Sequence, residues 1–69
     1  MAAEPELLSV QDNFEHYRVG KFHYIADDNE VHVTKDSGGS HNNVASYTYR
    51  NHAQACDAAY GMAVKQTKA

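Results

Sequence analysis

"SYTYRNHAQACDAAYG", residues 46–61, contains the change of period on which the fold turns. Its first half alternates: Tyr47 and Tyr49 are two positions apart, so on an extended chain they share a face with Ala45. Asn51 then stands three residues before Gln54, close to a capping box. In that box the asparagine oxygen takes an exposed first-turn amide and the glutamine reaches back. From there Ala55, Cys56, Ala59, Met62 and Ala63 recur at helical spacing. Alanine is the best helix former, and Lys65 and Lys68 sit near the end where cations favour the helix dipole. Gly61 works against the helix by roughly 1 kcal/mol relative to alanine, which suggests a close approach to another backbone. The stretch therefore predicts a strand handing over to a helix, with Tyr47 and Tyr49 under the helix and Tyr60 at its edge.

Towards the N-terminus, "FHYIADDNEVHVTK", residues 22–35, predicts a hairpin, because "DDNE" is turn chemistry between two alternating runs. Centring the turn on Asp28-Asn29 pairs Ala26 with Val31 and Tyr24 with Val33. Phe22, Tyr24, Ala26, Val31 and Val33 then share an apolar face, while His23, Ile25, His32 and Thr34 share the other. That division suits a sheet covered on one side. "FEHYRV", residues 14–19, is a further strand, and Gly20-Lys21 suits either a type II′ hairpin turn or a bulge. Residues 36–43, "DSGGSHNN", read as a flexible connection.

Residues 1–13 are expected to be an N-terminal arm or a short helix. Pro5-Glu6 could open such a helix, with Leu7, Val10 and Phe14 on one face. The predicted fold is α+β: a three- to four-stranded antiparallel β-meander with one C-terminal α-helix packed on its apolar face. Residues 14–69 form the single domain.

Composition bounds the function. The chain has 69 residues, a net charge of −3 and one cysteine, so no internal disulfide can supplement its core. Two Leu, one Ile, six Val and two Phe make a thin core, which favours dimerisation or attachment to a partner. No apolar run approaches the roughly 20 residues that span a bilayer. "MAAEPELLSV" has neither the basic start nor the apolar core of a signal peptide. A cytoplasmic protein without membrane contact is expected.

The chemistry-bearing residues mostly have simpler readings. His23 and His32 lie diagonally on one face, within possible reach of an ion. The five histidines nevertheless lack H-x₃₋₅-H spacing and a second cysteine, so no metal or other cofactor is expected. "DDNE" lacks the alternating ligands of an EF-hand, and "SGGS" lacks the Lys-Ser/Thr of a P-loop. Cys56 falls on the buried helix face, where thiols are usually packing residues. No catalytic residues are assigned, and the chain is not expected to be an enzyme.

"GKFHYI", residues 20–25, and "YTYRNHAQACDAAY", residues 47–60, give about residues 17–64 a pattern that resembles the AP2 and integrase arm-type DNA-binding domains. The resemblance implies a three-stranded sheet laid into the major groove. Here that face would present His23, Ile25, His32, Thr34, Ser46 and Thr48, where groove readers present several Arg and Lys. Nine acids also outnumber six basic residues, so nucleic acid ranks second among partners.

Another protein ranks first. Asp27, Asp28 and Glu30 cluster at one hairpin tip, able to meet a basic groove on a partner. His23, His32 and Thr34 offer a second surface. The profile (short, acidic, motif-free, with a thin core) is similar to phage or mobile-element accessory proteins that inhibit a host defence complex, the anti-CRISPR type among them. A DNA-binding module is the alternative, and a small structural homo-oligomer, such as a homodimer, is the third.

Overall fold

Two-residue turns join each strand to the next, and this makes the sheet a simple antiparallel meander. The computed structural model describes residues 4–69. In order along the chain are β1 (Glu6–Gln11), β2 (Phe14–Val19), β3 (Phe22–Asp27), β4 (Glu30–Ser37), β5 (Ser40–Thr48) and α1 (His52–Thr67). The five strands lie side by side in chain order, so β1 and β5 are the edges. The architecture is thus α+β as expected, with five strands rather than three or four.

The added strand is β1. Residues 6–11 pair antiparallel with β2 instead of forming a short helix, and residues 1–3 of the expected arm lie outside the described residues. Pro5-Glu6 and the Leu7/Val10 spacing mimic a helix start. The unpaired edge of the adjacent β2 supplies the hydrogen bonds that decide otherwise. The register shifts between Leu7 and Ser9, leaving Leu8 as the extra residue of a bulge.

Residues 36–43 also differ from expectation. Gly38-Gly39 alone makes the turn, and β4 and β5 run right up to it. A second bulge between Val33 and Thr34 places the extra residue at Val44 on β5. At Gly20-Lys21 the ladder runs without a shift from Val19–Phe22 onward. Gly20 has φ +60, so the hairpin-turn alternative holds and the bulge does not.

The β3–β4 register agrees with the sequence: Ala26 pairs with Val31 and Tyr24 with Val33. These four residues and Ala55, Ala59 and Ala63 form the buried core. Alanines four apart on α1 present a flat, narrow stripe that lets the helix sit close over β3, with β2 and β4 to either side. Tyr24 donates its hydroxyl to Gln66 Oε1 at 3.3 Å, tying the last turns of α1 to the sheet centre. Burial raises the Tyr24 hydroxyl above its ordinary pKa.

The helix is not wide enough to cover the rims. Tyr47 shares the core face, opposite Val31, yet remains 46 % exposed, against the expectation that the helix would bury it. Tyr49 does pack against the core, and Tyr60 is exposed, with its ring edge-on to Tyr17 at 5.5 Å.

The handover at residues 49–54 is held from both sides. Gln54 N donates to Asn51 Oδ1 at 2.9 Å, the expected cap. Gln54 Oε1 reaches back one residue further than a capping box requires, accepting from Arg50 N at 3.2 Å. Asn29 clamps the same segment reciprocally: Tyr49 N donates to Asn29 O at 2.7 Å, and Asn29 Nδ2 donates to Tyr49 O at 3.0 Å.

Gly61 does not serve close packing, because a Cβ placed there meets no atom within 4 Å. Gly61→Ala should therefore stabilise the protein by about 1 kcal/mol, through helix propensity and a less disordered unfolded chain. A thermal melt should show a midpoint raised by about 4–8 °C. An unchanged or lowered midpoint would mean that the helix packs through Gly61 after all.

Candidate functional site

The face of the sheet turned away from α1 carries the densest group of ionisable side chains. Alternation points His16 (β2), His23 (β3), Thr34 and Asp36 (β4) and His41 (β5) to this side, and the ladders bring them into line. Asp36 and His41 are direct cross-strand partners, two positions before the Gly-Gly turn closes. His23 sits opposite Thr34, one diagonal step from Asp36.

These residues form a continuous chain of contacts across four strands. His16 Nε2 and His23 Nδ1 are 2.7 Å apart, and His23 Nε2 is 3.0 Å from Asp36 Oδ2. His41 Nδ1 lies 2.5 Å from the other carboxylate oxygen, Asp36 Oδ1. The His23 ring lies between its neighbours, with centroids 4.9 Å from His16 and 5.7 Å from His41. His23 is only 8 % exposed, the one buried polar or charged residue among those described.

The electrostatics follow from this crowding. The hydrogen bond from His23 holds the Asp36 carboxyl below its ordinary pKa, burial opposes it, and the charges of His23 and His41 add to the lowering. Burial lowers the pKa of His16, helped by the nearby positive charges of His23, Arg18 and His41. His16 is thereby favoured in its neutral form.

The residues expected to form functional surfaces separate into three places. His23 is the buried centre of the histidine–aspartate group rather than part of an open contact surface. His32 is opposite Ile25, its Nδ1 3.2 Å from Ser46 Oγ and its Nε2 3.8 Å from Glu30 Oε1, so it does not join His23 around a common point. Thr34 is half-buried between them. Asp27, Asp28 and Glu30 do share one exposed tip. The backbone of that tip also anchors its neighbours, since His52 Nδ1 donates to Asp28 O at 2.6 Å and Asp28 N donates to Asn13 O at 2.8 Å. The second contact brings the β1–β2 turn alongside, so Asp12 joins the three acids at one end of the sheet.

Sequence reasoning did not single out His16, Asp36 or His41 as a group, because residues 16, 23, 36 and 41 have no common spacing. The one signal in the chain was the pairing of Asp36 and His41 about Gly38-Gly39, once those glycines are read as a tight turn.

A second group lies on the helix side: donor atoms of Glu15, His52 and Cys56 fall within 4.8 Å of one another. His52 and Cys56 are one helical turn apart, with Cys56 Sγ 3.2 Å from His52 Nε2. Here both histidine nitrogens, the thiol and one carboxylate oxygen have partners. His52 Nδ1 is occupied by Asp28 O, and Glu15 Oε1 accepts from the Tyr17 hydroxyl at 2.7 Å. Burial, with the Glu15 carboxylate beside it, pushes the Cys56 thiol up to about 11. At neutral pH it stays protonated and is a poor nucleophile despite its histidine neighbour. The same two causes raise the Tyr17 hydroxyl.

Among the described residues no cavity is enclosed, and no helix is long and apolar enough to cross a membrane. No family model, curated protein or solved structure matches this chain.

Proposed function

We propose that this protein is a non-enzymatic protein-binding module that receives an extended, basic and apolar segment of a partner protein along the free edge of β1. The observation that carries the reading is the composition of that edge. Leu7, Leu8 and Val10 are 51 %, 42 % and 58 % exposed on a strand whose outer backbone groups have no neighbouring strand among the described residues. Edge strands are normally blunted with charge, and an exposed aliphatic edge is a template for pairing. β1 leads directly into the acidic end of the sheet formed by Asp12, Asp27, Asp28 and Glu30, which gives the partner's segment its charge preference. Its narrower form, an anti-CRISPR-like inhibitor carried by a phage or mobile element, follows from composition, and the identity of the captured partner decides it.

The test is affinity capture from a lysate of the source organism with the wild type, Val10→Lys, and a triple charge reversal at Asp27, Asp28 and Glu30. A specific partner should be recovered by the wild type, lost with Val10→Lys and weakened at least about tenfold by the reversal. Capture unaffected by Val10→Lys would remove the edge. A wild-type dimer mass in light scattering that Val10→Lys abolishes would replace the partner with a second copy of this chain.

DNA binding is the second reading, favoured by the sheet face that α1 leaves uncovered. That face places Arg18 in an ion pair with Glu6 and sets Asp27, Glu30 and Asp36 among its histidines, a poor match to phosphates. Salt-dependent retention on duplex DNA, weakened by Arg18→Ala or Lys21→Ala, would promote it.

A further inference from the structure

We propose that His23, Asp36 and His41 form a binding site for a divalent transition-metal ion, Zn²⁺ foremost, on the uncovered face of the sheet. The inference is independent of the β1 edge. Two imidazole nitrogens and a carboxylate are the donor set of many three-ligand sites that leave one position for water. One donor atom from each of His23, His41 and Asp36 can be chosen so that all three lie within 4.8 Å of one another, and His23 Nε2 and His41 Nδ1 are the nitrogens that approach the carboxylate. Tetrahedral bonds of 2.0–2.1 Å require neighbouring donors about 3.3 Å apart, which small side-chain rotations supply.

Three features distinguish this group from a chance cluster of surface ionisable residues. The first is a need met only by an ion pair: Asp36 Oδ1 is buried and makes no well-aligned hydrogen bond. His41 Nδ1 lies 2.5 Å away, but the approach lacks hydrogen-bond geometry. That oxygen is held by a single ion pair, and a cation placed between it and the two histidines would give it a better-directed partner.

The second feature is support from behind. His23, nearly inaccessible, has its remaining nitrogen, Nδ1, held by His16 Nε2 at 2.7 Å. Ligating histidines commonly use the other ring nitrogen in this way, which fixes the orientation of the ring. The third is rigidity. The donors come from three adjacent strands, and the Asp36–His41 pair is set by the tight Gly38-Gly39 turn rather than by a loose loop. The Glu15, His52 and Cys56 group has no such buried atom without a hydrogen bond among its donors.

The test uses the full chain, freed of metal with a chelator, titrated with Zn²⁺ in a calorimeter and with Co²⁺ in a visible spectrometer. One saturable site is expected, with cobalt ligand-field bands and no thiolate charge-transfer band. His41→Ala, at an exposed position that leaves the fold intact, should weaken binding at least about tenfold, as should Asp36→Asn, while His32→Ala should leave it unchanged. Circular dichroism checks each variant. Absence of saturable binding by the wild type would overturn the site, as would wild-type affinity in both His41→Ala and Asp36→Asn. A thiolate-to-cobalt band that disappears in Cys56→Ala would also overturn it, placing the ion at Glu15, His52 and Cys56.

Discussion

Ala59→Leu is expected to lower the melting midpoint by about 10–20 °C, the largest loss from any single added side chain on α1. Ala59 has no exposed surface and lies in the middle of the Ala55–Ala59–Ala63 stripe that faces Tyr24, Ala26, Val31 and Val33. Overpacking a filled core costs typically 1–3 kcal/mol. Here there is little room to absorb it, because alanine at all three stripe positions is what allows the helix to sit close. A leucine must lift the helix off the sheet, so the flanking alanines lose contact as well. The upper end, about 2–3 kcal/mol, is therefore expected, at about 4–8 °C per kcal/mol for a domain of this size. Ala53→Leu, on the exposed side of the first turn, adds the same atoms and should move the midpoint by no more than a few degrees. A thermal melt of the two variants side by side decides the matter. Equal midpoints would mean that the alanine stripe does not face the sheet.

The same packing explains why the centre of the fold was legible in the sequence and the rims were not. Residues 22–35 alternate because one side of β3 and β4 is buried, and burial is what imposes a period of two. Asn51 and Gln54 announced the helix through groups that must be capped in any helix. At the rims no such pressure acts. On β1, Leu7, Leu8 and Val10 are all exposed, so their spacing records no buried face and is as compatible with a helix as with a bulged strand. On β5, "SHNN" has the composition of a loop and becomes a strand only because β4 offers it hydrogen-bonding partners. Tyr47 was expected under the helix because alternation reveals the phase of a strand but not the width of what covers it.

The histidine–aspartate group was hidden for a related reason. A site assembled from neighbouring strands depends on register, and register is fixed by turns rather than by any spacing between the ligands themselves. Once β2–β3, β3–β4 and β4–β5 are each closed by two residues, His16, His23, Asp36 and His41 come to one face as diagonal or direct cross-strand neighbours. The exposed tip of Asp27, Asp28 and Glu30 could be seen at once because its members are adjacent in the chain. Its backbone role, holding His52 and so the start of α1, could not.

Replacing Gly38-Gly39 by Val-Val should be the second large effect, and it links the fold to the proposed ion site. Gly38 has φ +57 and Gly39 φ +89, the mirror image of ordinary type I turn values. Only glycine takes both at no steric cost, and a β-branched residue forced there costs about 1–3 kcal/mol at each position. Against a total stability of roughly 3–10 kcal/mol for a chain of this length, the double change removes a large share. The expected result is a midpoint lowered by about 10 °C or more, at about 4–8 °C per kcal/mol, with fraying that begins at the β4–β5 hairpin. Because Asp36 and His41 are paired two positions from the turn, Co²⁺ binding should fall in step, even below the melting range. Gly38→Asn is the informative control, since asparagine followed by glycine is the favoured sequence for this turn. It should retain both the midpoint and the affinity for Co²⁺. A Val-Val variant that melts with the wild type would show that the turn tolerates other geometries. One that melts early yet binds Co²⁺ normally at low temperature would show that the ion does not depend on the Asp36–His41 register.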